Sequence, residues 1–166
     1  AKQLLVAVFA FLGIAAVMGV VVFAIRGWMI LVWALAALLI GASYSGGPLK
    51  LGFRGLGELV IFVMFGPLMM SGVYYSITGV LDWKIWLLST AVGLLVMNIV
   101  YSHSVLDAVP DKKMGKTTMA HLMGGKKGQI ALSGFANIAP YFIVVTGVTL
   151  GLLPWAYLAV LLVMPV

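Results

Sequence analysis

The chain has 166 residues, of which 64% are hydrophobic and 8% charged, and its mean hydropathy is +1.20. A soluble domain carries roughly 25% charged residues, so a water-facing surface cannot be assembled from this list and the bilayer is the solvent that fits. With no cysteine there is neither a disulfide framework nor a thiolate metal site. Two histidines and four carboxylates leave little for a protein-only zinc site. The net charge of +6 reads as a positive-inside bias, and no nucleic-acid partner is expected.

In chain order, Leu4–Ile25 is uncharged, long enough to span, and followed by no small-residue cleavage site, so it reads as a membrane span and not a signal peptide. Trp28–Ala42 continues apolar until Ser43-Tyr44-Ser45-Gly46-Gly47-Pro48, whose glycines and proline end a helix. Leu59–Val80 is a third span, closed by Asp82 and Lys84, and Ile85–Tyr101 a fourth. Ile130–Leu150 is a fifth, with Asn137 and Pro140 inside it. Trp155–Val166 opens a sixth that falls short of the roughly 20 residues a span needs. The expected fold is an all-α integral membrane bundle of about six helices, forming a single domain over 1–166. Both ends read as cut, so the chain is expected to be part of a longer protein.

Alternating the spans places Lys2, loop 43–58 and loop 102–129 on one side of the membrane. Lys2, Lys50, Arg54, Lys112, Lys113, Lys116, Lys126 and Lys127 lie there, against Arg26 and Lys84 on the other. That asymmetry predicts a multi-pass protein of the cell membrane with the two long loops cytoplasmic. Trp28, Trp83, Trp86 and Trp155 all fall at the opposite ends of their spans, where an aromatic belt is expected.

The acids are Glu58, Asp82, Asp107 and Asp111. Asp82 reads as a solvated turn charge. Asp107 and Asp111 follow an apolar span directly and precede Lys112, Lys113 and Lys116. On a helix, i and i+4 share a face, so both carboxylates can reach one Mg²⁺, whose remaining ligands come from water and substrate phosphates. The lysines then neutralise phosphate oxygens. Pro110 disfavours helix at Val109 and works against that geometry. An acid pair at this spacing fits an ordinary solvated basic loop equally well, and both readings stand at this point.

The stretch from Tyr44 through Lys50, Arg54 and Gly57 to Glu58 is too specific in its glycines for a generic connection. Together with the run from His103 through Asp107, Asp111 and Lys116 to Thr118, it resembles the UbiA superfamily of membrane prenyltransferases. The likeness is greatest to the branch that prenylates 1,4-dihydroxy-2-naphthoate in menaquinone synthesis, and covers roughly Tyr44 to Leu122. The resemblance implies a bundle of about nine helices around a cavity, of which this chain holds about six. It implies Mg²⁺-dependent transfer of a polyprenyl group from an allylic diphosphate to an aromatic acceptor. Asp107 and Asp111 would be the Mg²⁺ carboxylates, and Tyr44 would lie at the reacting centre. Lys50, Arg54, His103, Lys112 and Lys116 would bind substrate, and Glu58 would tie the 43–58 loop to its neighbours.

Three features depart from the family pattern. Its first aspartate-rich motif is absent, His103-Ser104 stand where paired asparagines are usual, and Val109 replaces the middle acid of the second motif. Two other functions remain in view: a transporter or channel segment for an anionic solute, gated by Lys50, Arg54 and Lys116, and a non-catalytic member of the family. Elsewhere, His121 reads as a solvated loop residue and Asn98 as an interhelical hydrogen-bonding group. Asn137 and Pro140 read as packing or a kink. Gly13, Ala16, Gly19 and Gly93 read as sites of close helix contact.

Overall fold

The structure is a computed structural model and describes residues 2–46 and 48–163. Its eight α-helices, among the described residues, are α1 (Lys2–Arg26), α2 (Met29–Ser45), α3 (Gly57–Val63), α4 (Met69–Thr78), α5 (Lys84–Leu106), α6 (Ala108–Lys113), α7 (Met119–Leu122) and α8 (Lys126–Thr149). A π-helical turn, Met64–Leu68, joins α3 to α4, so Gly57–Thr78 is one span-length helix. Four helices are long and apolar enough to cross a membrane: α1, the α3–α4 rod, α5 and α8. The apolar α2 is shorter. The sixth predicted segment forms 3₁₀ helix over Trp155–Val163, and residues 164–166 of that expectation lie outside the described residues.

The π turn has a local cause. Pro67 lacks an N–H, and its ring crowds the carbonyl four residues back, so the chain widens there to accommodate it. The same turn is where the rod crosses α5. A Cβ on Gly66 would stand 2.6 Å from the Ser89 carbonyl oxygen, and one on Gly93 would stand 2.9 Å from that of Phe62. The expectation for Gly93 therefore holds. Gly13 and Gly19 have nothing within 4 Å, because α1 buries none of its residues.

The buried centre is α5, packed between the α3–α4 rod and α8. Ala91, Val144, Val148 and Leu153 form one apolar cluster, and Leu94, Met97 and Ala136 a second one along the same α5–α8 seam. Asn98 works as expected: the Ser133 hydroxyl of α8 donates to its Oδ1 at 3.3 Å. Pro140 is buried within α8, which runs through it unbroken. The predicted loop 102–129 is more regular than expected. α5 continues to Leu106, and α6 and α7 add short helices. Pro110 sits in the first turn of α6, where its missing N–H had no intrahelical partner to lose, so the expected break does not occur.

The candidate active site

The two polar loops meet at one end of the bundle and are joined through their backbones. The Thr117 N–H donates to the Phe53 carbonyl at 3.0 Å, and the Gly55 N–H donates to the Thr117 carbonyl at 2.8 Å. This is a parallel bridge between Arg54 and Thr117. Gly55 takes φ +79°, and a Cβ there would strike the Leu122 side chain at 2.4 Å. Glu58, at the start of α3, adds a side-chain tie: its Oε2 accepts from the Met119 N–H at 3.3 Å. Glu58 thus links the loops as expected.

Between the loops lies a small polar cavity of about 120 Å³. Tyr44 enters from the end of α2, Val100, His103 and Ser104 from the end of α5, and Asp107 and Asp111 from either end of the first turn of α6. Lys116, Thr118, Glu58, Gly52 and Gly57 complete the wall. The two glycines pack beneath Tyr44 and against each other. A Cβ on Gly52 would lie 3.2 Å from the phenol ring carbon Cζ, and one on Gly57 would lie 3.5 Å from Cε2. The ring crowds the space a side chain at Gly52 would need, whereas at Gly57 the tight neighbour is the Gly52 Cα, 3.1 Å from where a Cβ would stand.

The site is electrostatically uneven. Glu58 and Asp111 are only 2% and 5% exposed. Asp111 pairs with Lys116 at 2.9 Å, the one ion pair among the described residues. That hydrogen bond is the chief reason the Lys116 ammonium is held above the ordinary lysine value; burial opposes it, and the negative charges of Asp111 and Glu58 add to it. Glu58 Oε1 is buried without a hydrogen-bond partner. A buried carboxylate oxygen left unpaired is costly, so this one calls for a donor or a cation inside the cavity.

Of the residues singled out from the sequence, Tyr44, His103, Asp107, Asp111 and Lys116 are brought onto one cavity. Lys50, Arg54 and Lys112 are exposed and outside its lining. Arg54 is turned back on its own loop, donating to the Pro48 carbonyl at 3.0 Å, and Lys50 holds a left-handed backbone at φ 42°. A larger apolar cavity of about 600 Å³ lies on the other face of α5, between it and α8, and none of the singled-out residues lines it.

One reading needs correction. His121 is not a solvated loop residue: it is half-buried in α7 and both ring nitrogens have partners. Its Nδ1 accepts from the Thr118 N–H at 3.0 Å, and its Nε2 lies 2.7 Å from the Ala108 carbonyl oxygen.

Among the described residues no three or more His, Cys, Asp or Glu side chains converge as a metal-binding group. The carboxylates on the cavity nonetheless offer hard oxygens, with the His103 imidazole beside them. Two carboxylates with water and phosphate as the remaining ligands make the set Mg²⁺ ordinarily takes, and the unpaired Glu58 oxygen adds negative potential beside them. The residues fit that ion.

An all-helical membrane bundle in which Glu58, Asp107, Asp111 and Lys116 share one cavity at one end defines the class, and comparison with known proteins supplies the family. The profile of the UbiA prenyltransferase family matches residues 3–166, and the chain belongs to that family. It is 30% identical over 160 residues to a 1,4-dihydroxy-2-naphthoate octaprenyltransferase of Bacillus subtilis, covering 96% of this chain and 51% of that protein. It is 29% identical over 140 residues to a 2-carboxy-1,4-naphthoquinone phytyltransferase of Synechocystis, covering 84% of this chain and 45% of that one. A 1,4-dihydroxy-2-naphthoate octaprenyltransferase of Mycobacterium tuberculosis is 29% identical over 156 residues, at 93% and 52% coverage. The chain spans about half the length of these curated relatives. No solved structure matches it.

Proposed function

We propose that this chain carries half of the catalytic bundle of a membrane prenyltransferase that moves a polyprenyl group from an allylic diphosphate to an aromatic acceptor of the 1,4-dihydroxy-2-naphthoate type, in quinone biosynthesis. Support comes first from the family and the relatives' activities. The single observation that carries the reading is the convergence of Tyr44, Asp107, Asp111 and Lys116 on one cavity, from segments far apart in the chain.

In this reading Asp107 and Asp111 would be the carboxylates that hold Mg²⁺. The ion, when bound, supplies positive charge against the negative charge that builds on the departing diphosphate. Lys116, held as an ammonium beside Asp111, adds a fixed positive charge at the same place. His103, on the cavity wall, offers an imidazole N–H to a diphosphate oxygen. Lys50, Arg54 and Lys112, exposed around the loops, draw the anionic substrate in from solvent. Tyr44, its ring packed against Gly52 on the cavity wall, would offer a π face to the carbon that loses diphosphate, where cationic character develops. The apolar helix faces below hold the isoprenoid tail and keep water from that carbon. The loops lie on the cytoplasmic side, as the eight-to-two distribution of Lys and Arg favours.

The test is Asp107→Ala and Asp111→Ala in the full-length protein, assayed in membranes for Mg²⁺-dependent prenylation of the naphthoate. Each change is expected to lower transfer at least ~100-fold, the scale of losing a preorganised charge-stabilising group. Undiminished transfer in both variants would remove the reading.

A further inference from the structure

We infer that His121 is a positioning residue for this site: its imidazole tethers the Asp107–Asp111 segment to the segment that grips the other loop. The inference rests on the proposed function where it concerns metal and diphosphate, and on geometry alone where it concerns the tether.

The tautomer follows from the partners. The Thr118 N–H can only donate, so Nδ1, 3.0 Å away, is the unprotonated nitrogen. The ring proton is then on Nε2, which donates to the Ala108 carbonyl at 2.7 Å. The first bond is half of a capping box at the start of α7, between Thr118 and His121. Glu or Gln is the usual residue at that third helical position. A carboxylate would serve the cap but has no proton to offer Ala108. Histidine serves both.

What the second bond connects gives it consequence. Ala108 follows Asp107 directly and opens α6. The Asp111 N–H bonds the Asp107 carbonyl at 2.9 Å, so the two acids move with that turn. On the other side, Thr117 is paired with Phe53 and Gly55, and Met119 with Glu58. His121 therefore closes a mechanical loop: Asp107 and Asp111 are held in register with the 43–58 loop through a ring that does not line the cavity. A carboxylate placed loosely by even an ångström binds its ion less well, and partners that orient metal ligands typically contribute about 10–100-fold in affinity.

The experiment compares His121→Ala, His121→Gln and His121→Glu in the full-length protein. Gln offers an acceptor and a donor on one amide, Glu only acceptors, and Ala neither. Amide hydrogen exchange across 108–114 is expected to quicken about five- to tenfold in the Ala and Glu variants, and to stay near wild type in Gln. Exchange in α5 and α8 should not change. The Glu variant should keep its protection at 118–122, which separates the tether from the helix cap and decides the matter even where the Ala variant fails to fold. In prenyl transfer, the Ala variant should need about tenfold more Mg²⁺ for half-saturation, with kcat at saturating Mg²⁺ largely kept and recovery in Gln. Unchanged exchange at 108–114 in Ala and Glu, or a Gln variant as loose as Ala, would overturn the tether. Absence of transfer in the wild type would count against the proposed function alone, because the exchange measurement still decides the tether.

Discussion

The two ends of the bundle use the same residue types in opposite ways. At the far end, charges are spent on helix termini. The Arg26 Nε donates to the Ser76 carbonyl at 2.9 Å, and its guanidinium also meets the Ile77 carbonyl, both in the last turn of α4. Asp82 Oδ1 accepts from the Lys84 N–H at 2.9 Å, at the start of α5. A cation at a helix C-terminus and an anion at an N-terminus satisfy orphan backbone groups and complement the macrodipole. At the loop end, Glu58 and Asp111 are buried and face a cavity, with one Glu58 oxygen unpaired. Capping stabilises a fold; buried, underpaired charge costs stability and is retained where it has something to bind.

The sharpest way to break this comparison is to remove one acid from each end. Asp82→Ala should cost about 1 kcal/mol of thermal stability, the usual scale of a lost cap, and leave prenyl transfer within about twofold. Asp111→Ala should cost transfer at least ~100-fold. Equal activities would mean the two ends do not differ in kind. Next in size is the helix crossing: Gly66→Ala drives a methyl against the Ser89 backbone carbonyl, which cannot swing aside. An overpacking cost of about 1–3 kcal/mol is expected, read as earlier unfolding in detergent. Arg26→Met keeps much of the side-chain volume but leaves the α4 carbonyls to other partners. A loss of about 1–2 kcal/mol with unaltered transfer would mark the far end as structural.

How much of this was legible in the sequence follows from what leaves a side-chain trace. Class, spans and the two polar loops were legible because hydropathy and charge are properties of residue lists, and the motifs around Asp107 and Glu58 pointed to one site. The meeting of the loops was not legible in detail. Phe53, Gly55 and Thr117 join through backbone groups, which every residue carries. His121 escaped for the same reason: its partners are a backbone N–H and a carbonyl, so nothing in its neighbours' identities announces them. Pro110 misled because a proline's effect depends on its place in a helix, and its place in the first turn of α6 is harmless. The glycines of the Tyr44–Glu58 run stood out as too specific for a generic connection, but that Gly52 and Gly57 pack against the Tyr44 ring needs the fold.

The smallest expected effect tests whether the Lys116–Asp111 pair belongs to stability or to the site. The Lys116 pKa is raised in the folded state, so whatever the pair contributes is fully present below the ordinary lysine value and is lost only as pH rises through the folded one. Between pH 7 and 9 the stability gap between wild type and Lys116→Met should therefore be flat, narrowing only above about pH 10.4. Lys116 keeps 32% of its side chain exposed, so solvent screens the pair and the gap should be under about 1 kcal/mol. Transfer should fall by far more than that gap implies, because the same ammonium sits on the cavity where diphosphate charge would develop. A Lys116→Met protein with a wide stability gap and normal transfer would move this lysine into the class of Arg26.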